Sequence, residues 1–162
     1  MTKISTDNGE LLPTSGVFGT DGVHRLPVRI YYEDTDFSGV VYHARYLHFF
    51  ERGRTDSLRC LGIHHSELAE QDDPIAFAVR RMNIEFVLAA RVDDALVVET
   101  HYRPQKGARL MLDQYLYRGE ELIASAEVQA VCIDGQGRAK RPPVWMREAW
   151  ARHIQAREEA GG

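Results

Sequence analysis

Three acids, a glycine turn and a histidine crowd into the segment Glu33 to His43, directly before a stretch with the period of a helix. From Tyr31 to Arg54 the chain reads YYEDTDFSGVVYHARYLHFFERGR. A carboxylate beside a helix start can work on a carbonyl group. Asp36, ionised at neutral pH with an unperturbed pKa near about 4, can serve as general base or nucleophile. The first N–H groups of a helix have no intrahelical acceptor, so they can receive the negative charge of an oxyanion. Backbone donors over the range Val41–Ala44, those of Val41, Tyr42, His43 and Ala44, are the candidates. One such donor is worth about 3–4 kcal/mol and a general base roughly a hundred- to ten-thousand-fold in rate. These terms suffice for an activated ester. His43 stands between the two groups, where an imidazole can polarise a carbonyl, position water or protonate a leaving group. Tyr42 and Tyr46 are placed to line a substrate pocket.

Other chemistries fit these residues less well. Glu33, Asp34 and Asp36 resemble a divalent-cation cluster. On an extended chain, however, alternate side chains point to opposite faces, so Glu33 would diverge from the other two. His43, His48, His64 and His65 match no closed zinc spacing, and no metal is expected. Glu51, three residues before Arg54, is placed for an i,i+3 ion pair rather than for attack on a substrate.

These groups need elements to hold them. Val28–Tyr32 is β-rich and follows Pro27, which suits a strand start. From Arg45 the period becomes helical: Leu47, Phe50, Arg54, Leu58 and Leu61 share one face, and Tyr46, Phe49, Gly53 and Cys60 its neighbour. The resulting stripe is wide enough to bury most of the helix girth. Gly53 costs about 1 kcal/mol against Ala inside a helix, which points to close approach of another element. Gly62 ends the helix, and His64–Gln71 forms a short second one. Ile75 to Asp134 alternates as four strands, separated by turn signals at Val92-Asp93-Asp94, Lys106-Gly107, Arg118-Gly119 and Gly135-Gln136-Gly137. Links this short imply an antiparallel meander. Alanines on the inner face of the last strand would let a helix lie close. Pro143–Arg157 reads as a helix anchored by Val144, Trp145, Ala149 and Trp150, with EEAGG fraying beyond it.

The expected organisation is a flexible extension over residues 1–24, one domain over 25–142, and a C-terminal helix and tail over 143–162. One helix cannot cover both faces of such a sheet, so a second subunit is expected.

The totals narrow the function classes. A chain of 162 residues favours one domain that buries its own core. Lys plus Arg number 20 against 24 for Asp plus Glu, a net charge of −4, which argues against a dedicated nucleic-acid binder. No apolar run approaches the roughly 20 residues that span a bilayer. The N-terminus lacks the apolar core of a secretory signal. Cys60 and Cys132 both fall in apolar patterns and read as core residues, without CxxC or zinc spacing. A cytoplasmic protein is expected.

The run YYEDTD, then GVVYH, then YLHFFERGR and Gly62, resembles the hotdog-fold acyl-CoA thioesterases. Within them it is most similar to the bacterial thioesterases associated with the Tol–Pal envelope system, in the broader 4-hydroxybenzoyl-CoA thioesterase group. The resemblance extends from about Val28 to Pro142, with AFAVRRMNIEF, RVDD and KRPP in support. It implies an α+β hotdog fold, a five-stranded antiparallel sheet wrapped around the Arg45–Leu61 helix. It implies homodimers with interfacial sites, paired into tetramers. The reaction implied is hydrolysis of an acyl-CoA to free acid and coenzyme A, with Asp36 as the carboxylate and His43 beside it. No cofactor is implied beyond the coenzyme A of the substrate. Among the arginines and lysines available for its phosphates, the strand-linking turn residues Lys106 and Arg109 are favoured. Two rival functions share the fold: a hydratase or dehydratase of enoyl thioesters, and a non-catalytic module binding acyl-CoA or acyl carrier protein. Acyl carrier protein is also a candidate partner of the enzyme.

Overall fold

The structure, a computed structural model, describes residues 15–161. Its elements run β1 (Val17–Phe18), β2 (His24–Arg29), α1 (His43–Cys60), α2 (His65–Ala69), β3 (Ile75–Phe86), β4 (Ala95–Tyr102), β5 (Arg109–Arg118), β6 (Glu121–Asp134) and α3 (Val144–Gly161). The sheet has six strands in the order β1-β2-β4-β5-β6-β3, each pair antiparallel. The five long strands match the expected hotdog sheet. The sixth, β1, is a two-residue strand in the segment expected to be flexible. That expectation fails for residues 15–24: Val17 pairs with Arg25, Phe18 stacks on His153 at 3.8 Å, and the Gly16 N–H donates to Asp56 at 2.8 Å. Residues 1–14 lie outside the described part.

Strand alternation sorts the core. Leu96, Val98, Thr100 and Tyr102 on β4, Leu110, Leu112, Gln114 and Leu116 on β5, and Ala124, Ala126, Val128, Ala130 and Cys132 on β6 are all buried on the same period of two. α1 supplies Tyr46, Phe49, Phe50, Ser57 and Leu58 to the same core. The helix comes closest at Gly53, where an added Cβ would stand 2.6 Å from Val98 and 3.0 Å from Gln114. The close approach is therefore over β4 and β5, not over the alanines of β6.

Several boundaries and faces differ from expectation. β2 begins at His24 and ends at Arg29, because Ile30 is drawn into reciprocal backbone bonds with the Asp93–Asp94 turn. α1 starts at His43 rather than Arg45 and α2 spans five residues. α3 continues through the Glu158–Gly161 stretch expected to fray. Its buried side is Met146, Ala149, Trp150 and Ile154, spaced 3, 1 and 4, while Val144 and Trp145 are 57% and 48% exposed. Cys132 is buried but Cys60 is exposed, on the rim of α1. No helix among the described residues is long and apolar enough to cross a membrane.

β3 lies at the sheet edge, paired only with β6. Its apolar side is incompletely covered: Met82 and Ile84 are half-buried, Val79 and Phe86 exposed. An edge strand of twelve residues with such a face offers both unpaired backbone groups and apolar surface.

Candidate active site

The segment between β2 and α1 is built around one buried carboxylate. Asp34 closes a single 3₁₀ turn, Tyr32–Asp34, and accepts the Tyr31 N–H at 2.8 Å and the Arg45 guanidinium through Nε at 2.9 Å. Its carbonyl accepts the Tyr42 N–H at 2.9 Å. Asp34 thus ties the turn to the first turn of α1 from inside. Glu33 remains exposed, 3.8 Å from Arg45. The supporting role expected of these two acids holds for Asp34, and Asp34 and Asp36 do not converge.

Asp36 sits one turn further on, at the tip. Its N–H donates to Val40 O at 3.2 Å, its carbonyl accepts Gly39 N–H at 3.0 Å, and Thr35 and Val41 close a bridge beneath. Gly39 takes φ of 80°, a left-handed conformation that suits glycine. The Asp36 carboxylate faces solvent and accepts the Ser38 N–H at 2.8 Å and the Ser38 hydroxyl. These donors hold its carboxyl below the usual carboxylate range, and the nearby His43 ring adds to the effect. Crowding by the neighbouring acids, which would have raised it, does not occur because Asp34 turns inward.

The backbone donors divide sharply. The Val41 N–H donates to Ala90 O at 2.9 Å and the Tyr42 N–H to Asp34 O, so neither is free for an oxyanion. The N–H groups of His43 and Ala44, at the first turn of α1, have no acceptor among the described residues. The oxyanion candidates are thereby narrowed to His43 and Ala44, with Val41 and Tyr42 excluded. No acidic side chain in that turn competes for them.

Side-chain roles are reassigned in the same way. Tyr46 is a core residue, not a pocket wall: it is buried and its hydroxyl accepts the Ala90 N–H at 3.1 Å. Tyr42 is exposed, its ring 4.6 Å from that of His43, and His43 in turn meets the edge of Phe86 at 6.2 Å. Tyr31, Tyr32, Phe37, Tyr42, Leu47, Phe86, Val87 and Leu88 are all exposed around this tip. Glu51 does not pair with Arg54. It accepts the Thr55 hydroxyl at 2.6 Å, while Arg54 donates to Gln114 Oε1 at 2.9 Å.

Lys106 and Arg109 form the turn between β4 and β5 and are exposed. Arg109 is level with Val131 and hence with Ala78 on β3, eight residues from Phe86. At about 3.3 Å per residue Ala78 and Phe86 are roughly 25 Å apart, so one protomer does not bring this pair to Asp36 and His43. An apolar cavity of about 140 Å³ lies at the same far end, between α1 and β3, lined by Leu58, Phe77, Val79, Leu110 and Leu112 with Arg54 and Glu51. Sequence patterning gave no sign of it, because its walls come from six separate elements, α1, α2 and β3 to β6.

Comparison with known proteins agrees with this geometry. The Thioesterase-like superfamily matches residues 31–150. The chain is 46% identical over 114 residues to the acyl-CoA thioesterase YbgC of Haemophilus influenzae, covering 70% of this chain and 83% of that protein. It is 45% identical over 111 residues to the acyl-CoA thioester hydrolase YbgC of Escherichia coli O157:H7, covering 68% and 81%. A crystal structure of a probable thioesterase from Bartonella henselae superposes with a TM-score of 0.73 at 41% identity, over 75% of this chain and 99% of that one.

Proposed function

The chain belongs to the thioesterase-like superfamily, and on that premise we propose that it is an acyl-CoA thioesterase in which Asp36 acts at the N-terminus of α1. One observation carries the site assignment: an ionised, solvent-facing carboxylate shares a tip with two unpaired helix N–H groups. Asp36 either takes a proton from the water that attacks the thioester carbon, or attacks that carbon itself to give an anhydride that water then hydrolyses to the free acid. The tetrahedral oxyanion is received by the His43 and Ala44 N–H groups, whose charge is aligned with the helix dipole. Collapse releases the coenzyme A thiolate, a good leaving group. The His43 ring, beside the tip, orients the carbonyl or the water.

The functional unit in this reading is a homodimer that pairs its β3 edges, with dimers pairing further into a tetramer. The exposed apolar face of β3 and the aromatic tip support it. An antiparallel two-fold pairing reverses β3 against its copy. Each Asp36 would then stand near the partner's copy of the α1–β3 cavity, for the acyl group, and of the Lys106–Arg109 turn, for the coenzyme A phosphates. Coenzyme A chemistry and the free thiols of Cys60 and Cys132 support a cytoplasmic enzyme. Association with the Tol–Pal system, and acyl carrier protein as a partner, rest on the motif resemblance.

The test is thiol release from acetyl, butyryl, decanoyl, palmitoyl and aromatic coenzyme A esters, with wild type beside Asp36→Asn. The variant should lose roughly a hundred- to ten-thousand-fold in kcat/KM with its fold intact. Equal rates would remove Asp36 from the reaction. No turnover of any ester by wild type would favour a binding module. A monomer in sedimentation at micromolar concentration would overturn the interfacial site.

A further inference from the structure

Away from the tip, the fold gathers three metal-ligating side chains that no sequence spacing announces. His24 comes from β2, and Asp56 and Cys60 stand one turn apart on α1. Their donor atoms all lie within 4.8 Å of one another. We propose that His24, Asp56 and Cys60 form a binding site for a borderline-soft divalent ion of the zinc type, which clamps the N-terminal segment onto α1.

The distances suit an ion. His24 Nε2 is 2.7 Å from Asp56 Oδ2, and Cys60 Sγ is 3.8 Å from that oxygen. With the third separation at or below 4.8 Å, a circle through the three atoms has a radius of about 2.4 Å or less. Seating a tetrahedral ion with Zn–N, Zn–O and Zn–S bonds of about 2.0–2.3 Å requires the His24–Asp56 pair to open from its hydrogen-bond distance by roughly 0.6 Å and Cys60 to draw in slightly. Nitrogen, oxygen and sulfur together favour zinc over magnesium or calcium, which prefer oxygen alone.

The surroundings complete the case. His24 is fully buried, which fixes its ring, whereas Cys60 is exposed and leaves an entry path. The N-terminal segment covers the cluster at Gly16. Its N–H donates to Asp56 Oδ2 at 2.8 Å, and its carbonyl is 3.4 Å from Cys60 Sγ. A Cβ at Gly16 would stand 2.9 Å from His24 Nε2, so the segment lies as close as a backbone can. The Gly16 carbonyl or a water fills the fourth position of a tetrahedron. On binding, the Cys60 thiol gives up its proton to solvent, the imidazole proton passes from Nε2 to the buried Nδ1, and the His24–Asp56 and Cys60–Gly16 hydrogen bonds give way to bonds to the ion. A His24–Asp56 hydrogen bond, with the Cys60 thiol donating to the Gly16 carbonyl at 3.4 Å, would pin the segment without an ion. A metal–thiolate bond is therefore what separates the two readings.

The experiment is titration of chelator-treated full-length protein with Co²⁺, followed by displacement with Zn²⁺. The expected result is one ion per chain, tetrahedral cobalt bands and a thiolate-to-cobalt charge-transfer band. Cys60→Ala should abolish that band and weaken Zn²⁺ more than about tenfold, and His24→Phe should weaken it similarly. Cys60 is exposed, so its variant tests the site without threatening the fold. Absence of saturable binding at micromolar ion, bands without thiolate character, or unchanged affinity in Cys60→Ala would each overturn the proposal. Hydrogen exchange gives a second readout: Zn²⁺ should slow exchange in residues 15–24 of wild type and leave Cys60→Ala unaffected.

Discussion

Replacing Gly53 by Ala tests how rigidly α1 is held over the sheet, and so how firmly its N-terminus is aimed at the tip. In an isolated helix the change would stabilise by about 1 kcal/mol. Here the new methyl would sit 2.6 Å from Val98 Cγ1, 3.0 Å from Gln114 Nε2 and 3.1 Å from Thr100 Oγ1. Carbon atoms prefer about 3.5–4.0 Å, so the Val98 contact alone needs roughly 1 Å of relief. None of these neighbours yields easily. Val98 is β-branched and completely buried. Gln114 is held by donating to Phe50 O at 2.9 Å and Thr100 Oγ1 at 3.0 Å, and by accepting from Arg54 at 2.9 Å. Overpacking of this kind costs about 1–3 kcal/mol, so after the propensity gain of about 1 kcal/mol the net effect is a loss of up to about 2 kcal/mol. Urea unfolding should show a lower midpoint with an unchanged slope. Trimming the opposing side chain should expose the cause: Gly53→Ala with Val98→Ala should be more stable than the sum of the single changes by at least about 0.5 kcal/mol. A Gly53→Ala protein as stable as wild type, or more so, would refute the argument that close approach selects this glycine.

Three further outcomes follow from the tip and its supports. The Asp36 carboxyl is held low chiefly by Ser38, so kcat/KM should fall only as pH drops below the usual carboxylate range; in Ser38→Ala the acid limb of the pH–rate profile should move up, toward about 4. Asp34→Ala removes the buried partner of Arg45 and the acceptor of the Tyr31 N–H, and should cost about 2–3 kcal/mol in urea unfolding, with loss of activity through misplacement of the tip. Tyr46→Phe keeps the ring but strands the buried Ala90 N–H, a loss of about 1–3 kcal/mol, while kcat stays near that of wild type because Tyr46 faces the core.

Much of the fold was legible because burial imposes simple periods. Leu96 to Tyr102, Leu110 to Leu116 and Ala124 to Cys132 alternate cleanly, and the structure buries one side of each in the core; at the register shift opposite Leu116 and Tyr117 the period breaks, and Ile123 rather than Leu122 is fully buried. Gly53 was legible as a helix glycine needing a reason, and the reason is Val98 and Gln114. Where burial depends on a neighbour distant in sequence, the pattern misled. Trp145 is apolar and stands beside Trp150, yet the turn of α3 sends it outward. Cys60 follows the helix stripe but lies on its rim. Ile84 and Phe86 alternate like core residues on a strand that is an edge, and Leu88 lies beyond its end.

What the sequence determined by itself was the inventory: a carboxylate, a tight turn and a helix start within a dozen residues, followed by strands too closely linked to be anything but antiparallel. Local chemistry decides those features, because turns, caps and periods depend on near neighbours. What only the tertiary structure decided was which groups are spent and which are free. Val41 and Tyr42 lose their N–H groups to Ala90 and Asp34, leaving His43 and Ala44 as donors. Asp34 turns in to Arg45 while Asp36 stays in solvent on Ser38. His24 meets Asp56 and Cys60 at sequence separations of 32 and 36. Each outcome is set by hydrogen-bond competition between segments far apart in the chain, and spacing along the sequence carries no record of it.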